Sequence, residues 1–409
     1  MKFILYSLNY TPEISGIGKY NGELCPALVE AGFGVTAIVA QPYYPEWRIP
    51  QEYKRLSIVK SQEEGVEVLR CPLYVPRKVD TLRRLIHLTS FAFSSLVGLG
   101  RKIFSRPDLV FLVQPTLFCA PGALLFAKLT GAKAIMHIQD YEIDAMFGLN
   151  LFESKGCMKW ALKVERFLLR RFDAVSTISY TMMQKAQQKG VDQSKIIFFP
   201  NWSDTDFVHP GVSGDDLRAQ WGYGLHDKIL LYSGNVGKKQ GLELILDAAA
   251  CLQSQPDVKF LIVGEGAHLE ALKDYACQLQ LTNLDFKPLQ AWSLVPQLLA
   301  MADIHLVVQS KGAADSVLPS KLTNILAAGG HAIITAEVET ELGALSKDFL
   351  GIFKRVAPED VDAFVAGIQE MLSTDLSHHN QIARDYAERY LTKKSVIARF
   401  VKDALRIAS

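Results

Sequence analysis

The sequence predicts an α/β protein made of two doubly wound halves, and three observations carry that prediction. Short apolar runs rich in valine and isoleucine alternate with helical stretches, the pattern of a parallel sheet covered on both faces. The alternation breaks once, across residues 200–226, where prolines and glycines mix with acids and aromatics, and then resumes. The 409 residues are 49% apolar and 21% charged, a globular composition with enough chain for two cores.

In the first half, KFILYSL and GVTAIVA bracket a helix beginning near Gly18. LVFLVQ leads into APGALLFAKLTG, a helix closed by Gly131, and KAIMHIQ follows. DAVSTIS opens onto a polar helix that ends at Gly190. In the second half KILLYSG, VKFLIVG, NLDF, DIHLVV and HAIIT each precede a helical stretch. Three amphipathic segments, VDAFVAGIQEML, ARDYAERYL and SVIARFVKDALRIA, close the chain. The expected division is a first domain over 1–205, a second over 206–390, and a C-terminal helix over 391–409 for which packing back on the first domain is one option. The architecture repeats while the sequence does not. Ligands of such sheets sit beyond the carboxyl ends of the strands, so a cleft between two facing halves is the expected site.

A formal net charge of +1 argues against nucleic acid held by bulk electrostatics. The six cysteines are scattered, without C-x-x-C pairs, which fits a reducing compartment and no zinc or disulfide framework. The N-terminal MKFILYSLNYTPE reads as a buried strand rather than a signal peptide. Residues 81–104, TLRRLIHLTSFAFSSLVGLGRKIF, have basic ends and an apolar middle too short and interrupted to span a bilayer. Two readings stay open for them, a buried domain helix and a helix in the membrane interface.

Glycine-rich strand-to-helix junctions supply the candidate chemistry. In PEISGIGKY, Gly16 and Gly18 allow backbone amides to approach an anion, yet Asn21 holds the third position of a dinucleotide fingerprint and no P-loop ending is present. In LYSGNVGKKQGLE, Gly234 and Gly237 end a strand, and Lys238 and Lys239 either neutralise a diphosphate or are solvated charge in a turn. Gly264, Glu265 and Gly266 serve a phosphate or a turn equally well. In VLPSKLTNILAAGG, Pro319 suits the first turn of a helix and Ser320 and Lys321 lie in that turn. The helix dipole disfavours a lysine there, so Lys321 asks for a bound anion.

Together with PYYPEW, RCPLYVP, PTLFCAPG, HIQDYEIDAM and FFPNWS, these motifs make the chain resemble, along essentially its whole length, the retaining family 4 glycosyltransferases of the GT-B fold. Within them it is most similar to bacterial exopolysaccharide enzymes of the colanic acid type. The resemblance implies two Rossmann-like domains facing across a cleft, the first binding the acceptor and the second the nucleotide sugar. It implies that the Gly16–Gly18 loop faces the donor phosphate and the acceptor, and that Lys238 or Lys239 with Lys321 holds the diphosphate. It places the base against the backbone around Lys287 and Leu289, and the sugar near Asp315 and Ser316. Asp140 is the candidate for positioning the sugar or acceptor.

The departures from the family pattern are specific. Two glutamates with seven residues between them are replaced by Ser316 and Asn324, an arginine by Asn235 and a lysine by Gln240. A histidine usual before the aspartate of HIQD is Gln139, which leaves His137, on the same strand face, as a substitute catalytic group or a packed core residue. No Asp-x-Asp motif is placed to hold a metal, and neither metal nor other cofactor is expected. The implied partners are a nucleotide-sugar donor, GDP-fucose first and a UDP-sugar second, and a lipid-linked (undecaprenyl diphosphate) oligosaccharide acceptor. The implied location is the cytoplasm, peripherally on the inner membrane. A nucleotide-sugar epimerase or phosphorylase of the same fold, and a catalytically silent subunit of a polysaccharide assembly complex, are the competing readings.

Overall fold

The structure, a computed structural model, describes residues 1–13, 16–77, 81–141, 155–311 and 319–409; for Thr81, Lys155, Cys157, Met158 and Lys239 it describes the backbone alone. The chain divides into two compact units, Met1–Pro200 with Ile397–Ser409, and Asn201–Val396.

The first unit holds an eight-stranded sheet: β1 (Lys2–Ser7), β2 (Gly34–Ala40), β3 (Val59–Glu63), β4 (Val66–Cys71), β5 (Leu109–Gln114), β6 (Lys133–Ile138), β7 (Ala174–Thr177) and β8 (Ile196–Phe198), in the order β3-β4-β2-β1-β5-β6-β7-β8. Every pairing is parallel except β3 with β4, a hairpin turned through Glu64 and Gly65, both at positive φ. The second unit holds β9 (Lys228–Ser233), β10 (Val258–Val263), β11 (Leu284–Lys287), β12 (Ile304–Val307), β13 (Ala332–Thr335) and β14 (Lys354–Val356) in the parallel order β11-β10-β9-β12-β13-β14. Both sheets reverse their winding beside the first strand, between β1 and β5 and between β9 and β12. Those reversal points are where doubly wound sheets open a ligand crevice.

The expected strands are all present. Four more, β3, β4, β8 and β14, escape a reading by apolar runs. VKSQE and KRV lie on sheet edges and carry charge, and IIF is only three residues long. The helix Ala120–Thr130 ends at Gly131 with φ 76, as its position after the helix requires.

The helix Thr81–Gly100 packs one side into the domain, as the buried reading expects. His87, Leu88, Phe91, Ser95 and Leu99 are buried, and Tyr6 Oη lies 2.6 Å from Ser95 Oγ. On the opposite side Leu82, Ile86, Phe93 and Val97 are exposed. Among the described residues no helix is long and apolar enough to cross a membrane.

The last helix, Lys393–Ala408, joins the first unit from Ile397 onward. Its Phe400 is buried, stacked on Phe199 at 4.4 Å between ring centroids, with Phe111 at 5.0 Å and Phe3 at 6.2 Å. The first unit's core is therefore completed by the end of the chain. Phe400→Ala is expected to cost about 3–5 kcal/mol, read by denaturant unfolding, while Leu405→Ala on the exposed face of the same helix stays near wild type.

Candidate active site

In the second unit the loops after β9 and β10 stack backbone on backbone. A Cβ on Gly264 would come within 1.9 Å of the Gly234 carbonyl oxygen, and one on Gly266 within 2.1 Å of the Val236 carbonyl. Val236 N donates to Glu265 O at 2.8 Å, Gly234 N to Val263 O at 3.0 Å and Gly264 N to Lys287 O at 3.1 Å. Glycine is required here by close approach.

Lys321 reaches into this corner from the first turn of the helix Ser320–Ala327. Its Nζ stands 3.6 Å above the centre of the Tyr232 ring, and a Cβ on Gly234 would lie 3.0 Å from it. The ammonium is buried and among the described residues has no hydrogen-bond partner, although the residue as a whole is partly exposed. Burial pushes its pKa from 10.5 down to about 7. Charging the amine in that position costs about 5 kcal/mol relative to water, and a cation–π contact returns at most about 2 kcal/mol. Gln309, just beyond β12, adds a buried Oε1 that also has no partner.

The other sequence-predicted residues of this unit divide into two groups. Lys238, Asn235 and Glu265 are exposed at the same strand ends, and Asn235 O accepts from Tyr232 Oη at 2.7 Å. Lys287 closes β11, with Nζ 5.6 Å from the Trp221 ring centre, and Leu289 is exposed beyond it. Ser320 is exposed, its carbonyl accepting from Thr323 Oγ1 at 2.7 Å. Gln240 and Asn324 are occupied internally. Gln240 Oε1 accepts the Gly237 N–H at 3.1 Å, which fixes the turn that carries Lys238. Asn324 Oδ1 accepts from Ser203 Oγ at 2.8 Å, tying its helix to a segment whose Ser203 N bonds Leu391 O. Asp315, Ser316 and the Lys239 side chain lie outside the described residues.

In the first unit Gly16, at φ 58 and exposed, starts the helix Gly16–Glu30, and Gly18 leaves room for Glu13, whose Cβ would be 2.6 Å from a Cβ there. Asn21, at the third glycine position, donates to Ser7 Oγ and to Asn9 O, both at 2.9 Å, and so ties the helix to the end of β1. Asp140 is exposed just after β6.

The structure corrects the reading of His137 as catalytic. It is buried in the aromatic core, stacked on Phe111 at 5.3 Å, with Phe199 at 5.1 Å. Both ring nitrogens are engaged, Nδ1 with Ser176 Oγ at 2.9 Å and Nε2 with the Gln139 amide at 2.8 Å, and burial pushes its pKa down to about 3. A buried neutral ring with both nitrogens bonded has no free nitrogen to exchange a proton with substrate.

Sequence reasoning missed Tyr232, Gln309, Glu13, Gln114 and Thr116. The last two are buried beyond the middle of the first sheet, at and just after the end of β5, and their side-chain polar atoms have no partners. A tyrosine two residues before Gly234 in an apolar strand was a visible signal for Tyr232. Nothing local in the sequence marks the others. Among the described residues no three His, Cys, Asp or Glu side chains gather as a metal site.

Comparison with known proteins gives this geometry its family. A model described as "Glycosyl transferase 4-like domain" matches residues 15–202, and one described as "Glycosyl transferases group 1" matches residues 214–389. The chain is 50% identical over 408 residues to the "Putative colanic acid biosynthesis glycosyl transferase WcaI" of Escherichia coli (strain K12), covering 98% of this chain and 99% of that protein. Its fold matches the sucrose-phosphate synthase (tll1590) of Thermosynechococcus elongatus with a TM-score of 0.73 at 15% identity over 100% of both chains. It also matches Anabaena Alr3699/HepE, solved in complex with UDP and glucose, with a TM-score of 0.68 at 15% identity over 98% of this chain and 99% of that one. Two Rossmann-like domains of the GT-B type, both matched by glycosyltransferase families along nearly the whole sequence, make this chain a glycosyltransferase and a member of that family.

Proposed function

We propose that the chain transfers a sugar, with retention of anomeric configuration, from a nucleotide-diphosphate donor to a lipid-linked oligosaccharide in colanic acid-like exopolysaccharide synthesis. GDP-fucose is the first donor proposed and a UDP-sugar the second. The observation that carries the donor half is the buried, unpartnered Lys321 ammonium at the winding reversal of the second sheet. The pathway half rests on the relative named for colanic acid biosynthesis.

Cleavage of the anomeric C–O bond leaves negative charge on the diphosphate. Lys321, with Lys238 at the loop surface, stabilises that charge as it develops, so the barrier falls without a metal. The departing phosphate then helps to take the proton of the acceptor hydroxyl. Asp140 is proposed to orient the sugar or acceptor, and the backbone at Lys287 to Leu289 to meet the base.

Attachment to the cytoplasmic surface of the inner membrane is part of this proposal. The exposed stripe Leu82, Ile86, Phe93 and Val97 is joined by Leu125 and Leu129 on the helix Ala120–Thr130. The two helices touch where a Cβ on Gly122 would fall 2.7 Å from Leu96. Residues 81–107 carry Arg83, Arg84, Arg101, Lys102 and Arg106 and no acidic residue, a charge pattern suited to anionic head groups.

Three measurements test this. Lys321→Ala is expected to lower turnover more than tenfold, about 1.4 kcal/mol in the barrier, with an unchanged circular dichroism spectrum; near-wild-type turnover removes Lys321 from the site. Nucleotide diphosphate binding is expected to draw a proton onto Lys321, because its free amine titrates at about 7 and the bound anion raises that value. Affinity therefore falls as pH rises above about 7, by up to about tenfold per unit, and calorimetry at pH 8 in buffers of different ionisation enthalpy reads the proton directly. A pH-independent affinity, or the same slope in Lys321→Ala, defeats the assignment. Finally, the protein is expected to float with anionic but not neutral liposomes, and Phe93→Asp to abolish flotation; equal recovery with both lipid types argues against the membrane face.

A further inference from the structure

The helix that carries Lys321 has little of its own to hold it in place. Ser320–Ala327 is eight residues long, and Pro319, at its N-cap, makes no side-chain capping bond. A helix of that length is marginal by itself, so its position is set by what it packs against. Leu322, Ile325 and Leu326 bury one face of it. Apolar burial is non-directional, and it fixes the depth of the helix more firmly than its rotation or its axial position. Against it works the buried Lys321 amine, which is drawn toward water.

Directional bonds come from two other segments. Ser203 Oγ donates to Asn324 Oδ1 at 2.8 Å, one turn on from Lys321. Arg384 Nη1 donates to Ala327 O at 2.6 Å, at the end of the helix, and also to Val208 O at 3.1 Å and Thr205 O at 3.2 Å. The helix is thus tied in its middle and at its end to one stretch, 203–208.

That stretch is tied in turn. Ser203 N donates to Leu391 O at 2.9 Å, and Ser203 O accepts from Lys393 N at 3.3 Å, so Ser203 pairs in parallel with Thr392. The turn before this pair, Ala387–Leu391, is π-helical, a form that recurs at functional sites. The chain passes between its two units at 200–201 and again at 396–397, so the pair sits a few residues from both passages. Ser203 is buried, with its N–H, carbonyl and hydroxyl all committed. Such a serine is there for its bonds rather than for its volume.

We propose that Ser203 and Asn324 are positioning residues for the transfer reaction: they hold the Lys321 ammonium over Tyr232 and make its placement depend on the segments by which the chain passes between its units. The proposal rests on Lys321 serving the donor diphosphate, and it adds what keeps that lysine in place. Loosening of either segment frees the helix, and the amine moves toward water. Tyr232 is the titratable group that faces the amine, and burial keeps its phenol protonated by pushing its pKa up. Burial is also what lowers the Lys321 pKa, so a helix that slips outward lets that pKa climb back.

The test reads Lys321 directly in the full-length protein. With 13C-labelled lysine, the Cε resonance that disappears in Lys321→Ala belongs to this residue, and its chemical shift against pH gives the midpoint of its titration. The wild-type midpoint is expected at about 7. In Ser203→Ala and in Asn324→Leu it is expected to rise by about one pH unit or more. Affinity for GDP or UDP, by calorimetry at about pH 6.5 where the amine is mostly charged in every variant, is expected to fall roughly fivefold in both. Phe400→Ala, which weakens the first unit's core, controls for a merely structural effect and is expected to leave midpoint and affinity at their wild-type values. Unmoved midpoints in both Ser203→Ala and Asn324→Leu overturn the proposal, and so does an equal rise in Phe400→Ala. A wild-type midpoint already at the ordinary lysine value overturns it too, because nothing is then being held. A raised midpoint with nucleotide affinity within about twofold of wild type shows that the placement does not serve the donor, and is equally fatal. A wild-type protein that binds neither GDP nor UDP refutes the donor reading, while the titration still decides what holds Lys321.

Discussion

The Lys321 ammonium, held without a partner over the Tyr232 ring, is the constraint on which the second unit's architecture turns. Room for it exists because Gly234 lacks a side chain, and Gly234 in turn fits because Gly264 lets its carbonyl pass. Gln240 fixes the turn that carries Lys238, and Tyr232 fixes the Asn235 carbonyl from below. A buried amine whose charge costs more than its aromatic contact returns is a poor stabilising element and a good receptor.

The first unit solves a different problem with the opposite charge. Glu13 is a buried carboxylate satisfied by two backbone N–H groups and an amide, so it acts as a clamp rather than as a base. It gathers two loops at the carboxyl edge of the sheet. Both units therefore follow one design, in which a rigid parallel sheet carries loops whose polar groups are either fully satisfied or left open. Among the described residues the buried side-chain atoms without a partner include those of Lys321, Gln309, His87, Gln114 and Thr116, and also of Arg70, Arg218, Asn283 and His305.

Departures from the family pattern take on a physical meaning in the fold. Asn324 stands where a glutamate is usual, and its oxygen bonds a serine 121 residues earlier in the chain. Gln240 stands where a lysine is usual, and it caps a turn. Each position holds an amide that completes an internal bond. Sequence alone left His137 between a core and a catalytic role, because strand alternation reveals which face a side chain occupies but not what covers that face. Here the cover is Phe199 and Phe400, the latter brought in from the last helix of the chain.

The sequence by itself determined the two parallel sheets, since runs of branched apolar residues bounded by glycine have few other ways to be buried. It also exposed Lys321, because a lysine in a helix's first turn opposes the dipole and is an anomaly at the level of local structure. Edge strands such as β3 and β14 escaped it, because half-exposed pairing leaves no apolar signature. Only tertiary structure decided that Lys321 is buried and unpartnered and that Glu13 is a clamp. Burial and hydrogen-bond satisfaction are properties of what distant segments bring to a side chain, and no window of sequence contains them.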